Sequence, residues 1–158
     1  MIDEVDVRLI ALLQNDARQT IKSLAEQLGI AASTCIERMR SLQIRGVVKG
    51  YHAEVDLAKT GRDLQAMVSV RLMPKSQEVL ERFVEHVWSL PETVTVTLMS
   101  GVDDVQVHLA VADSEQLRRV VINQIANYSG VVDERTSLVF EHRRKHDLAP
   151  INRRSTAR

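Results

Sequence analysis

The sequence predicts an α+β protein of two small domains, a helical one followed by one that mixes strands and helices. Residues 3–44 place apolar side chains at helical spacing, with a helix-ending Gly29 between two short helical patterns. Residues 65–140 alternate period-two runs with amphipathic helical runs in the order βαββαβ. The length of 158 residues, with 44% hydrophobic content, allows one medium domain or two small ones.

The first predicted helix runs from Asp3, which can cap it, to Leu13. Thr20 begins a second helix, which Gly29 stops. The third is predicted to start near Ser33 or Thr34, because Thr34 and Glu37 have capping-box spacing. The predicted buried stripes are Val5, Leu9, Leu12 and Leu13 in the first helix, Ile21, Leu24, Ala25 and Leu28 in the second, and Cys35, Met39 and Leu42 in the third.

Two short helices joined by a few residues that contain glycine fit a helix-turn-helix, whose second helix enters the major groove of DNA. Ordinary core helices with solvated charges are the alternative, and spacing alone favours neither. A local basic patch attracts phosphates, because Glu37 is the only acid between Ile36 and Gly50. Its basic residues are Arg38, Arg40, Arg45 and Lys49.

An extended arm is predicted to follow the third helix. Gly46, Val47, Val48 and Gly50 resemble a tight turn into a β-strand that continues through Tyr51 to Val55. This order is typical of winged helix-turn-helix domains.

The second domain is predicted to contain strands at 65–72, 93–98 and 105–111, and from Val131 to about Phe140. One helix spans 77–90; the other is capped by Ser114 and buries Leu117, Val120, Val121 and Ile125. This order predicts a ferredoxin-like sheet with both helices on one face. The other face would expose Thr93, Thr95, Thr97, Gln106, His108 and Ala110. Either solvent or an identical sheet could cover that face.

Four stretches resemble the Lrp/AsnC (feast/famine) transcription regulators of bacteria and archaea: DEVDVRLIALLQNDAR, LAEQLGIAASTCIERMRSL, GVVKGYHAEVD and SGVDD. The resemblance spans nearly the whole chain. It implies a winged helix-turn-helix that binds double-stranded DNA at 1–50, a linker strand and hinge at 51–64, and an effector-binding and assembly domain at 65–142, before a basic tail at 143–158. It also implies a homodimer that assembles further, often to an octamer. The predicted DNA contacts are Ser33, Thr34, Glu37, Arg38, Arg40, Ser41 and Lys49.

The SGVDD stretch, Ser100–Asp104, is by composition a hairpin turn. In the family, the corresponding hairpin has a glycine and an aspartate separated by two residues, and it helps to bind an amino-acid effector between subunits. Gly101 and Asp104 match that pattern. Val102 and Asp103 depart from it, since many members have an acidic and then an aromatic residue there. We therefore predict that the hairpin binds a small or polar amino acid, or that the protein has no amino-acid effector. The predicted effector-binding residues are Ser100, Gly101, Val102, Asp103 and Asp104.

No catalytic, metal or cofactor site is predicted. His142 and His146 have the i, i+4 spacing of metal ligands, but they lie in the basic run EHRRKH without a clear third ligand. Cys35 lies on a buried stripe, and no nucleotide-binding glycine loop occurs. Two rivals to a regulator remain: an effector-independent architectural DNA protein, and a small-molecule-binding ferredoxin-like protein whose N-terminal helices aid assembly. A lone cysteine and the lack of a signal or membrane-spanning segment predict a cytoplasmic protein.

Overall fold

The computed structural model describes residues 2–146 and residue 148. Two compact units divide the chain between Ala53 and Glu54, and the second unit ends at His142. The basic-tail prediction for residues 147 and 149–158 lies outside the described residues. Within the described part of the chain, no helix is long and apolar enough to span a membrane.

Three helices form the first unit: α1 (Glu4–Asn15), α2 (Ile21–Leu28) and α3 (Ala32–Ile44). The Asp3 side chain caps α1, as predicted. The Thr20 side chain caps α2, which begins where the sequence predicted it. Gly29 ends α2 with φ 69° and ψ 36°, the left-handed conformation that glycine adopts without steric cost. The buried core of this unit consists of Leu9, Ile10, Leu13, Leu24, Ala25, Leu28, Cys35 and Leu42.

The predicted start of α3 is wrong by one or two residues. The helix begins at Ala32, and its N-cap Ala31 makes no side-chain hydrogen bond. The capping box between Thr34 and Glu37 is therefore not used. The short Gly29–Ala31 connection places the helix start earlier than the side-chain pattern indicates.

The predicted wing strand is also absent, since residues 49–56 have no regular secondary structure. The N–H groups of Val47 and Val48 both donate to the Leu42 carbonyl oxygen, and Gly46 turns the chain with φ 67°. Val48 packs on the core of the first unit. These apolar residues close the end of α3, and none of the ladders of the sheet described below includes residues 49–56.

The second unit has the ferredoxin-like order β1 (Leu64–Leu72), α4 (Gln77–Trp88), β2 (Thr93–Leu98), β3 (Val105–Val111), α5 (Ser114–Val120) and β4 (Val131–Leu138). A 3-10 turn at Ala58–Thr60 precedes β1, and α5 continues as π-helical turns over Val121–Ala126. The sheet is antiparallel with strand order β2-β3-β1-β4. Alternate residues of β1 and β3 pack against the helices around Phe83 and Ile125. The cap of α5 is Asp113 and not the predicted Ser114, because the Asp113 carboxylate accepts from the Gln116 N–H at 2.7 Å.

The open face of the sheet is less exposed than predicted. Thr95 and Thr97 are exposed, but His108 and Ala110 are buried. Beyond β4, the Val139 N–H donates to the Gln65 carbonyl oxygen, and His142 reaches the ring of His108. The chain after β4 thus covers part of the face.

Candidate nucleic-acid interface and ligand site

The exposed face of α3 is formed by residues at helical spacing. Ser33, Glu37 and Arg40 recur at i, i+4 and i+7, and all three are exposed. Ile44 extends the row by one more turn with 76% of its surface exposed, and Ile36 on its flank is 52% exposed. Ser41 is exposed and Thr34 is half-buried beside this row. Hydroxyl, guanidinium and apolar groups on one helix face are the groups that read base edges and thymine methyls in a major groove.

Arg38 lies on another side of α3 and is bound within the protein. Its guanidinium Nη1 donates to Asp3 Oδ2 and to Asp6 Oδ1, both at 2.7 Å. Arg45 Nη1 lies 3.7 Å from the other Asp6 oxygen. Two of the four basic residues predicted as a phosphate-attracting patch, Arg38 and Arg45, are therefore paired with carboxylates at the start of α1. Arg40, Arg45 and Lys49 are exposed.

Hydrogen bonds around Arg38 shift the pKa values of Asp3 and of Arg38 itself. A hydrogen bond from the Asp6 N–H, followed by the bond from Arg38, lowers the pKa of Asp3. The bonds to Asp3 and Asp6 raise the pKa of Arg38. Asp3 is thus favoured as the carboxylate and Arg38 as the guanidinium, the charges that their ion pair requires.

A chain of polar side chains sets the start of α2. Gln27 donates to the Gln19 side-chain oxygen at 2.6 Å, and Gln19 donates to the Leu12 carbonyl oxygen of α1 at 3.4 Å. Arg8 of α1 donates to the Gln27 carbonyl oxygen at 2.7 Å. These bonds join α1 to both ends of α2, which shares its buried core with α3.

The hairpin Ser100–Asp104 joins β2 to β3, as predicted. Ser100, Gly101 and Val102 are exposed, whereas Asp104 is 7% exposed. The Asp104 carboxylate accepts from the Leu72 N–H at 2.9 Å and pairs with Lys75 Nζ at 2.9 Å. Burial raises its pKa, but these two partners outweigh burial, so the pKa of Asp104 is lowered overall. Both carboxylate oxygens already have partners within the protein.

Asp103 connects the same hairpin to β4. Both of its carboxylate oxygens lie 2.6 Å from Arg135 Nη2, on the open face of the sheet. Arg71 and Asp133 form a second ion pair at 3.6 Å between the neighbouring strands β1 and β4. The predicted hairpin residues are therefore together, and a row of charged groups extends from them across the sheet.

His108 occupies the middle of the open face. Its Nε2 lies 2.9 Å from the Gln65 side-chain oxygen, and the His142 ring is 5.3 Å away between centroids. Burial, and then the nearby His142, lower the pKa of His108. Neutral imidazole is the favoured form in this position.

Among residues 2–146 and 148, no three His, Cys, Asp or Glu side chains cluster as metal ligands. Cys35 is fully buried, and burial raises the pKa of its thiol. A cleft of about 370 Å³ lies between the loop after α4 and α5, but it includes none of the hairpin residues. Its lining is Leu90, Pro91, Glu92, Gln116, Arg119, Val120, Asn123 and Gln124.

Sequence reasoning missed two kinds of residue. Ile44 was not assigned to the α3 surface, although it continues the row of Ser33, Glu37 and Arg40 at the next helical interval. Asp3 was assigned only a capping role, and its pairing with Arg38 has no local signal because 35 residues separate the two.

Two family models together match most of the chain. The AsnC-type helix-turn-helix domain matches residues 2–43, and the Lrp/AsnC ligand binding domain matches residues 65–148. The first match covers α1, α2 and all of α3 except Ile44, and the second covers the hairpin and all of the sheet except Leu64.

Named relatives agree with these matches. The HTH-type transcriptional regulator AldR of Mycolicibacterium smegmatis is 39% identical over 143 residues, which cover 90% of this chain and 84% of the relative. The leucine-responsive regulatory protein of Rhizobium meliloti is 31% identical over 139 residues, or 88% of this chain and 89% of the relative. The crystal structure of MtbAldR superposes with a TM-score of 0.78 at 35% identity, covering 94% of this chain and 97% of that one.

Proposed function

The chain belongs to the Lrp/AsnC family of transcription regulators, and from that premise we propose that α3 reads duplex DNA while the hairpin Ser100–Asp104 binds an amino-acid effector. It is a DNA-binding regulator and not an enzyme. The observation that supports the reading helix best is the exposed row of Ser33, Glu37 and Arg40 on α3.

The chemistry of that row suits base and phosphate contacts. Arg40 is exposed, and a guanidinium can bind guanine or phosphate with two hydrogen bonds. Ser33 and Thr34 lie in the first turn of α3, where an uncapped helix start presents N–H groups to phosphate. Glu37 and Ser41 are proposed base-edge contacts, and Lys49 a backbone contact. Arg38 lies beside these residues on α3, but it is not a proposed direct DNA contact, because its guanidinium is paired with Asp3 and Asp6.

An amino acid is the proposed effector class for two reasons. A relative of similar length is named leucine-responsive, and the hairpin presents both an acid and an exposed turn. The effector's carboxylate would accept from N–H groups of the turn, while its ammonium would share Asp104 with Lys75 or take the place of Lys75. Exposed Val102 makes the rim aliphatic, which suits a small or polar amino acid better than an aromatic one.

Assembly beyond one chain is part of the proposal. A homodimer would form through the open sheet face and the segment after α3, and dimers would associate further to an octamer. The exposed Thr95 and Thr97 leave room for a second sheet beside the part that residues 139–142 cover. Because the proposed target is chromosomal DNA, we propose that the protein acts in the cytoplasm.

A mobility-shift assay on the DNA upstream of the protein's own gene tests the proposal, with and without each common amino acid. We expect specific binding that one amino acid changes. Binding that no amino acid changes would support the effector-independent architectural protein instead. Salt-insensitive, negligible binding would support the small-molecule-binding alternative.

Arg40 variants test which face reads DNA. Arg40→Ala should weaken operator binding and lower the logarithmic salt slope by about one unit if the contact is to phosphate. Arg40→Glu should weaken binding more, because it adds a negative charge that the DNA phosphates repel. Arg119→Ala, an exposed arginine of α5, is the matched control. Equal affinities for Arg40→Ala, Arg119→Ala and the unchanged protein would remove α3 as the reader.

A further inference from the structure

Arg38 and Arg45 project from the reading helix α3, yet both are engaged by acids from the start of α1. Arg38 bonds to Asp3 and Asp6 at 2.7 Å each, and Arg45 approaches Asp6 at 3.7 Å. Asp6 is 5% exposed, whereas the Arg38 side chain is 30% exposed and borders the solvent. The guanidinium is therefore close to the surface but held by carboxylates.

The two acids are themselves fixed. The Asp6 N–H donates to Asp3 Oδ1 at 2.8 Å, and the Asp3 N–H donates to Asp6 Oδ2 at 3.4 Å. This reciprocal cap orients both carboxylates toward Arg38, while Arg45 Nη1 lies 3.7 Å from Asp6 Oδ2. The cap of α1 and the ion pair to α3 form one network.

A guanidinium held by two carboxylates is poorly available to DNA, because a phosphate must compete with both acids for the same N–H groups. Non-specific DNA binding depends almost entirely on the number of phosphates that cations neutralise. Base-edge contacts, in contrast, are made by the exposed row of α3 and do not require Arg38. On the operator, base contacts of the exposed row fix the register of α3, whereas on random duplex the helix is free to take the register in which Arg38 meets a phosphate. Pairing Arg38 with the two acids thus weakens binding to random duplex more than binding to the operator.

We propose that Asp3 and Asp6 are specificity determinants, which withhold Arg38 from the DNA backbone so that the exposed row of α3 dominates recognition. The inference rests on the proposal that α3 is the reading helix. Its consequence is that removing the two acids strengthens binding to random duplex more than binding to the operator.

The test compares Asp3→Asn/Asp6→Asn with the unchanged full-length chain on operator and random duplexes over a range of salt concentrations. We expect several-fold tighter binding to random duplex, and a salt slope steeper by about one unit as Arg38 gains a phosphate. Operator affinity should rise less, so the ratio of operator to random affinity should fall. Asparagine is itself a good N-cap, which preserves the start of α1.

Glu4→Gln is the matched control, because Glu4 is an exposed acid in the same first turn but makes none of the bonds to Arg38. For the loss of two negative charges alone, the expected fold gain on random duplex is the square of the Glu4→Gln fold gain, that is, twice its change in the logarithm of affinity. A gain in the double variant no larger than that would overturn the proposal. So would a gain that persists in full when Arg38→Met is added to the double variant.

If the double variant does not fold by circular dichroism, Asp3→Asn alone decides, since Asp3 is the more exposed acid. Asp3→Asn should lower the ratio of operator to random-duplex affinity by less than the double variant does and by more than Glu4→Gln does. No difference from Glu4→Gln would overturn the proposal.

Arg40→Ala in the unchanged background separates the role of α3 as reader from the role of the two acids as specificity determinants. If Arg40→Ala weakens operator binding but the Asp variants match Glu4→Gln, only the present inference fails. If Arg40→Ala has no effect, the assignment of α3 as reader fails.

Discussion

At the scale of single residues, Asp104 joins three parts of the second unit. Its backbone N–H donates to the Val70 carbonyl oxygen, its own carbonyl oxygen accepts from the Met99 N–H, and its carboxylate holds Leu72 and Lys75. The residue expected from family resemblance to serve an effector therefore also holds the hairpin to the end of β1. We therefore expect substitutions at Asp104 to change stability as well as any effector response.

Replacing Asp104 by asparagine and by alanine separates those two effects. Alanine leaves the buried Leu72 N–H without its acceptor and should cost on the order of 1–3 kcal/mol of unfolding free energy. Asparagine can still accept from Leu72 and should cost less, yet it should abolish any effector response, because the negative charge is gone. Urea unfolding followed by Trp88 fluorescence measures the stability, since Trp88 is the only tryptophan and lies in the second unit. A normal effector response in both variants would place the effector elsewhere.

His108 makes the second unit sensitive to pH. Its folded pKa is below the ordinary 6.5, so the unfolded chain binds the proton more readily than the folded chain does. The stability that this residue contributes is therefore fully present above pH 6.5 and is lost as the pH falls through the lower folded pKa. Trp88-monitored unfolding between pH 5 and 8 should show this loss.

Two variants assign that pH dependence. His142→Ala should reduce the loss, because a neighbouring positive charge disappears, and His108→Gln should remove most of it. His52→Gln is the control, since His52 is an exposed histidine of the first unit. An unchanged pH profile in His108→Gln would contradict the assignment.

At the scale of elements, Gly29 sets the turn between the two helices of the helix-turn-helix. A Cβ at this position would meet no atom within 4 Å, so only the backbone conformation opposes a side chain. Gly29→Ala should destabilise the first unit by about 1–2 kcal/mol, the cost of a left-handed residue with a side chain. Gly29→Asn should cost less, because asparagine tolerates this conformation. Calorimetry on both variants tests the order, and equal melting temperatures would contradict it.

Helix ends that are set by residues next to them were predictable from the sequence. A strand that depends on pairing with a distant part of the chain was not. Asp3, Thr20 and Gly29 act on their own helix ends, and sequence reasoning found all three. The aliphatic pair Val47-Val48 has the pattern of a strand, but it bonds back to Leu42 and ends α3. A strand also requires a neighbouring strand, which a sequence pattern cannot supply.

At the scale of the whole molecule, assembly remains a prediction. If the chain forms the proposed homodimer, light scattering at micromolar concentration should give at least twice the 17.8 kDa mass of one chain. A two-fold dimer is also expected to bind a roughly palindromic site. A monomer mass with and without DNA would contradict it. An added effector should change the size only if it binds one association state better than another.

The candidate site follows the same division between local and distant causes. The exposed row of α3 was largely predictable, since helical spacing places Ser33, Glu37 and Arg40 on one face. The availability of the arginines was not, because Arg38 is held by Asp3, 35 residues earlier in the chain. Charge counted along the sequence overestimates the positive surface of this unit, whereas charge counted after ion pairing does not.

Cys35 offers a built-in measure of how often the first unit opens. It is the only cysteine, it is fully buried in the core beneath α3, and its raised pKa keeps it as the unreactive thiol. Thiol reagents therefore modify the chain only during openings that expose this core, and the labelling rate measures their population. A DNA duplex that binds the closed unit should slow the labelling. The Cys35 sulfur therefore reports both local unfolding of the first unit and its binding to DNA.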